Sequence, residues 1–247
     1  MSTKHYLFLT TLCTLGLLAC KKDSEDPPVT PTTGTLKVGW GFHWGGPDLA
    51  LDSTYTDDFG HAIAIHELRY MVCNMQFKQG TTVPGAFPNA CLLFTAEEEG
   101  VATLGDLSPA TFDSLQITLG LDSAMNHGDP STASEPLNDT TMHWGPGTTN
   151  GYYFLVIEGQ VDDDGDGVVD ASDPAFSYRC ATDGLSHRIT RAAPYAVTAG
   201  STTIVHMHIQ VNELMAGIDV LNNLTAIGAQ PINQQLMDQL VDVLELE

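Results

Sequence analysis

From residue 34 onward the chain alternates. In Leu36-Lys37-Val38-Gly39-Trp40-Gly41-Phe42-His43-Trp44 the large apolar side chains fall at every second position. Successive side chains of a strand point to opposite faces, so this spacing puts Leu36, Val38, Trp40, Phe42 and Trp44 on one face and turns His43 to the other. Further runs rich in β-branched and aromatic residues lie at 62–77, 91–94, 112–119, 152–158, 176–180 and 202–211, separated by Gly, Pro, Asn and Asp clusters that favour turns. At least seven strands with such punctuation predict an all-β fold, an antiparallel immunoglobulin-like β-sandwich. The end of the chain breaks the pattern. Gln230-Pro231-Ile232-Asn233 reads as a helix start, and Leu236, Leu240 and Val243 recur at helical spacing with Asp238, Asp242 and Glu245 elsewhere, so a short C-terminal helix is expected as a lid on the sandwich.

The beginning of the chain has another logic. Lys4 and His5 precede an apolar run over residues 6–18, too short to span a bilayer, and Leu17-Leu18-Ala19-Cys20 has the form of a lipoprotein cleavage site. Residues 1–19 therefore read as a lipoprotein signal peptide and Cys20 as the lipidated first residue of the mature chain. Residues 20–33, with Lys21, Lys22, Asp23, Glu25, Asp26 and Pro27, Pro28 and Pro31, bury no apolar area and read as a flexible tether. Residues 34–247 are the domain. The expected location is the cell envelope, as an outer-membrane lipoprotein facing the periplasm or the exterior and touching the membrane through its lipid anchor.

With 43% hydrophobic residues, 247 residues can bury a sizeable core. Lys and Arg number 9 against 31 Asp and Glu, a formal charge of -22 that repels a phosphate backbone and argues against nucleic-acid binding. No catalytic constellation stands out. Ser186-His187 lacks a Gly-x-Ser-x-Gly elbow, no Cys-x-x-Cys is present, and the glycine-rich stretches lack nucleotide fingerprints, so a non-enzymatic protein is expected.

The acidic residues are not spread evenly. In Asp162-Asp163-Asp164-Gly165-Asp166-Gly167-Val168-Val169-Asp170-Ala171-Ser172-Asp173, numbering from Asp162 puts carboxylates at positions 1, 3, 5, 9 and 12, glycine at 6 and the Val168 carbonyl at 7. That is the oxygen-ligand order of a calcium loop, with Asp162, Asp164, Asp166, Val168, Asp170 and Asp173 as ligands. Position 12 is the short Asp173 instead of glutamate, and the flanks read as strand, so the expected role is a structural staple. Cys73, Cys91 and Cys180 remain once Cys13 is cleaved off and Cys20 lipidated. An oxidising compartment predicts one disulfide, Cys73 with Cys91 if their strands are adjacent, with Cys91 to Cys180 the alternative. Eight histidines remain beyond the leader: His43, His61, His66, His127, His143, His187, His206 and His208. Neutral imidazole suits copper, zinc, iron and nickel, and the 202–211 strand puts His206 and His208 together on its outer face, where they chelate or are simply wet.

Several segments carry a resemblance. Asn126-His127-Gly128-Asp129-Pro130, Met142-His143-Trp144 followed by Gly151-Tyr152, and the Leu68-Arg69-Tyr70 strand stand in the order seen in MbnP-like copper-binding proteins, a family related to the copper proteins CorA and MopE, and the chain resembles that family from about Gly34 to its end. The resemblance implies a β-sandwich that binds copper through histidines, with His127 as first ligand, His143 beside it and His43 near a first-strand histidine of some relatives. It also implies a partner di-haem peroxidase-like enzyme that oxidises a tryptophan, for which Trp144 is the candidate and Trp40 the rival. Where relatives carry Phe-x-x-His, this chain has Phe176-Ser177-Tyr178-Arg179. The expected function is copper uptake, storage or sequestration; the alternative is a surface binding or adhesion module without a transition metal.

Overall fold

The computed structural model describes residues 30–98, 100–145 and 149–247, and residues 31–247 form one compact unit. The leader and Cys20 lie outside the described residues. The strands are β1 (Gly34–His43), β2 (Thr54–Thr56), β3 (Ala62–Gln79), β4 (Thr82–Thr95), β5 (Gly100–Leu107), β6 (Ala110–Thr111), β7 (Ser114–Leu119), β8 (Tyr153–Val161), β9 (Ala175–Ala181), β10 (His187–Ala192), β11 (Ala196–Val197), β12 (Thr202–Gln210), β13 (Thr225–Gly228) and β14 (Leu244–Leu246). Helices α1 (Ser123–Asn126), α2 (Val211–Leu214) and α3 (Pro231–Val243) interrupt them.

One sheet runs β14-β12-β1-β5; the larger runs β10-β7-β3-β8-β9-β13, with β2 and β4 also paired to β3. The alternation in β1 acts as its sequence predicts: Leu36, Val38 and Phe42 are buried, and β12 adds Val205, Met207 and Ile209. The layers meet where Trp40 stacks on Phe94 at 4.8 Å between centroids and Phe42 packs edge-on against Tyr70 at 5.8 Å, offset and T-shaped arrangements that suit aromatic quadrupoles. Gly100 makes room for Trp40, since a Cβ there would lie 2.0 Å from Cζ2.

β3 serves two neighbourhoods: its first half pairs with β2 and β8, its second with β4 and β7. The change of register after Cys73 falls on Asn74, which takes φ 55°, a conformation asparagine tolerates better than most residues, and marks a β-bulge that bends the strand. Cys73 and Cys91 face each other across β3 and β4 and form the disulfide. Cys180 is a buried free thiol whose pKa burial pushes well above its ordinary value.

Three features differ from the sequence expectation. The sandwich is not wholly antiparallel: β1 pairs with β12, and β9 with β13, in parallel. These strands are far apart in sequence, so no tight hairpin dictates their direction. β4 begins at Thr82 and β5 is an additional strand. Gly85, Pro84 and Pro88 mask the first half of β4, which is mostly exposed, where a sheet tolerates proline. Trp44 lies past the end of β1, stacked on Tyr55 at 4.4 Å between centroids. The lid helix is as expected. Pro231 occupies its first turn, and Leu236, Met237, Leu240 and Val243 are buried as α3 packs on β9 and β13.

Candidate metal centre

The segments singled out in the sequence converge on Gly151 and Tyr152. Asn126, fully buried at the end of α1, accepts the Tyr152 N–H at 2.8 Å through Oδ1. Gly151 takes φ 77°, and a Cβ there would sit 2.2 Å from that same Oδ1, so only glycine fits. The Trp144 N–H donates to Gly151 O at 2.9 Å, and His143 bridges to Tyr152, whose ring it meets edge-on at 4.9 Å. Met142 is buried beneath them. Both the His143 Nε2–H, at 3.0 Å, and the Tyr152 hydroxyl, at 2.8 Å, donate to Leu137 O. A carbonyl only accepts, so His143 carries a proton on Nε2, and the neutral ring has its lone pair on Nδ1.

A polar network holds His127 beside this junction. Asn126 Nδ2 donates to Asp183 Oδ1 at 2.7 Å, Ser123 Oγ donates to Asp183 Oδ2 at 2.6 Å, and His127 Nε2 lies 3.3 Å from Asp183 Oδ1. Ser123 and then Asn126 hold the Asp183 carboxyl below its ordinary range, with His127 adding to the effect against some desolvation. The carboxylate draws the Nε2 proton and leaves the lone pair of a neutral His127 on Nδ1, the way a second carboxylate commonly orients a metal-ligating histidine. Thr182, just before Asp183, adopts φ 95°; a β-branched residue there is strained, and such strain gathers at functional positions. Asn126 belongs to the motif singled out in the sequence, but Asp183 does not: it acts through a spatial partner, Asn126, 57 residues away.

The MbnP family model matches residues 33–235. The chain belongs to the MbnP family. A solved structure, MbnP from Methylosinus trichosporium, is similar over 80% of this chain and 81% of its own, at 13% identity and a TM-score of 0.49. No curated protein matches. MbnP membership points to a copper-related function.

Elsewhere in this MbnP domain Trp144 is half-buried, lying over Gly228, where a Cβ would be 2.8 Å from its ring, and 6.3 Å from Tyr153. Trp40 is pinned by Nε1–H bonds to Thr95 O and Glu98 O. Arg179 pairs with Glu158 and lies over the Tyr153 ring at 5.3 Å. Within the four-stranded sheet, His43 of β1 meets His208 of β12, Nε2 to Nδ1 at 3.0 Å. Among the described residues, the groups of three or more candidate ligand atoms within 4.8 Å of one another are Asp57–His61–Asp219 and Asp162–Asp164–Asp166, so His43, His127 and His143 do not form one such group. The first is a hydrogen-bonded clip: Asp57, buried, accepts the His61 Nδ1–H at 3.0 Å and the amides of Phe59 and His61. His66 bridges Asp52 and Gln160 in the same way.

The acidic loop joins β8 to β9. Asp162 is 5% exposed and accepts the Gly165 and Gly167 N–H groups, both at 2.8 Å; Asp164 accepts from Asp166, and Asp166 from Val168. Asp173 closes the loop by accepting the Asp170 N–H at 2.7 Å. The Gly167 amide leads in holding Asp162 below its ordinary range. Asp164 sits above its own: the Asp166 amide lowers it, but the charges of Asp166 and Asp162 and desolvation outweigh that.

Proposed function

We propose that this protein is a lipid-anchored envelope member of the MbnP family that binds copper for uptake, storage or sequestration, without catalysing a reaction. The observation that carries the reading is the convergence on Gly151 and Tyr152. Two histidines in family-like segments are each held by an acceptor on Nε2, Asp183 for His127 and Leu137 O for His143, which puts the ligating lone pair of each on Nδ1. His127 is the first ligand and His143 the second. The partner is a di-haem peroxidase-like enzyme, and Trp144, half-buried next to His143, is the tryptophan it oxidises. Copper supplies the affinity for further soft or nitrogen donors when bound; the chain supplies orientation, through Asn126 and Asp183. The deciding experiment is copper binding by the H127A variant, which loses the high-affinity equivalent.

A second ion completes the reading. Calcium is proposed as the staple of the β8–β9 loop, held by Asp162, Asp164, Asp166, the Val168 carbonyl, Asp170 and Asp173. The support is the ligand order, together with the positions of Asp162, Asp164 and Asp166, whose oxygens lie within 4.8 Å of one another. Intact mass and elemental analysis of the mature chain test Cys20 lipidation and calcium together.

A further inference from the structure

The outer face of the four-stranded sheet carries a separate group of imidazoles. The parallel register of β1 and β12 places Gly39 opposite His206, Gly41 opposite His208 and His43 opposite Gln210. With glycine at 41, nothing stands between His43 and His208, and their rings meet diagonally at 5.0 Å between centroids, with His43 Nε2 3.0 Å from His208 Nδ1. His206 stacks on His208 at 5.9 Å, and its ring lies over Gly39, where a Cβ would be 2.6 Å from Nδ1. The glycines of β1 thus form the floor on which three imidazoles gather.

The outer nitrogens of the pair face carboxylates. His43 Nδ1 lies 3.2 Å from Asp48 Oδ1, and His208 Nε2 lies 3.7 Å from Glu247 Oε2. The Asp48 contact is within ion-pair range but outside hydrogen-bond angles, so the buried His43 Nδ1 lacks a well-aligned acceptor. When each neutral ring carries its proton on the outer nitrogen, on the side of Asp48 or Glu247, two lone pairs face each other across 3.0 Å. Such a pair is resolved by a shared cation, either a proton or a metal ion. With metal–nitrogen bonds of about 2.0 Å, two ligands about 95° apart on one ion are separated by about 3 Å, the distance found here.

We propose that His43 and His208 form a second transition-metal site, on the β1–β12 face, for a borderline divalent ion of the Cu(II) or Zn(II) class. Asp48 and Glu247 orient the two rings, and His206 stands next to them as a further nitrogen donor. The site does not depend on the copper centre at Gly151 and Tyr152 and shares no residue with it. A set of imidazole nitrogens suits these ions better than the hard cation expected at 162–173.

The test is calorimetric titration of Zn(II) into the full chain, comparing wild type, H43A, H208A and H127A, with thermal melts of each. Wild type takes up one zinc equivalent that H43A and H208A each bind at least about 30-fold more weakly while H127A retains it; D48N and E247Q weaken it by about 10-fold. Unchanged zinc affinity in H43A and H208A overturns the proposal, as does loss of the same equivalent in H127A. Wild-type copper content retained in full by H127A removes the copper centre and leaves this site standing. A measurement on wild type covers a variant that fails to fold. One zinc equivalent slows diethyl pyrocarbonate modification of His43 and His208 by about 10-fold, read by peptide mass, and leaves His66 unchanged; equal modification with and without zinc overturns the site.

Discussion

Asn126 Oδ1 accepts the Tyr152 backbone N–H at 2.8 Å, and this one bond ties the His127 segment to the strand that follows Trp144. The same side chain donates to Asp183, so a single buried amide fixes three stretches of chain that are remote in sequence. Its removal leaves a buried N–H without an acceptor and frees the Asp183 side. N126A is therefore expected to lower stability by about 2–3 kcal/mol, read as a lower midpoint in urea with unchanged slope. G151A is expected to cost at least as much, because its Cβ meets the Asn126 oxygen at a positive φ.

Asp183 gives the centre a pH signature. Its native carboxyl titrates below the ordinary value, so the stabilisation is fully present above the unfolded value of about 4 and is lost as pH falls through the native value. The side chain is 43% exposed, so the effect is small, about 1 kcal/mol or less. Chemical denaturation of wild type between pH 6 and 2.5 is expected to show an acid limb that is shallower in D183N. Identical limbs would show that Asp183 makes no linked contribution.

The calcium reading predicts a stability that depends on the ion. At calcium 100-fold above its dissociation constant the stabilisation is about 2.7 kcal/mol, so excess chelator is expected to lower Tm by several degrees and added calcium to restore it. D162N, which keeps the size of the side chain but removes a charge, is expected to abolish the response. A melting curve indifferent to chelator would count against the staple.

Much of this was legible in the sequence, and the rest was hidden for physical reasons. Strand periodicity located the β1 core face, β9 and β12, where one buried face forces alternation, and runs of β-branched and aromatic residues located β3 and β8, which are buried over longer stretches. The parallel β1–β12 pairing left no local signal, and with it the meeting of His43 and His208, since pairing across 165 residues is decided by packing and not by turns. The motif order Asn126-His127, Met142-His143-Trp144 and Gly151-Tyr152 pointed to the centre. Asp183 and Thr182 did not, because an aspartate in so acidic a chain and a strained threonine look ordinary until the fold sets them beside His127.

The disulfide gives a separate check on the fold. Cys73 and Cys91 close a short loop of separation 18, and the chain-entropy model assigns such a loop about 3 kcal/mol. The C73A/C91A double variant is expected to lose about that much stability. Cys180, buried, is expected to resist alkylation in the native protein and to react once denaturant is added.

The most direct test of the copper reading is elemental analysis of the protein and its H127A variant, each purified from the cell that makes it, with intact mass on the same samples. The account predicts copper near one equivalent or above in wild type and the loss of one equivalent in H127A, with calcium present in both. Wild-type copper content retained in full by H127A would contradict it.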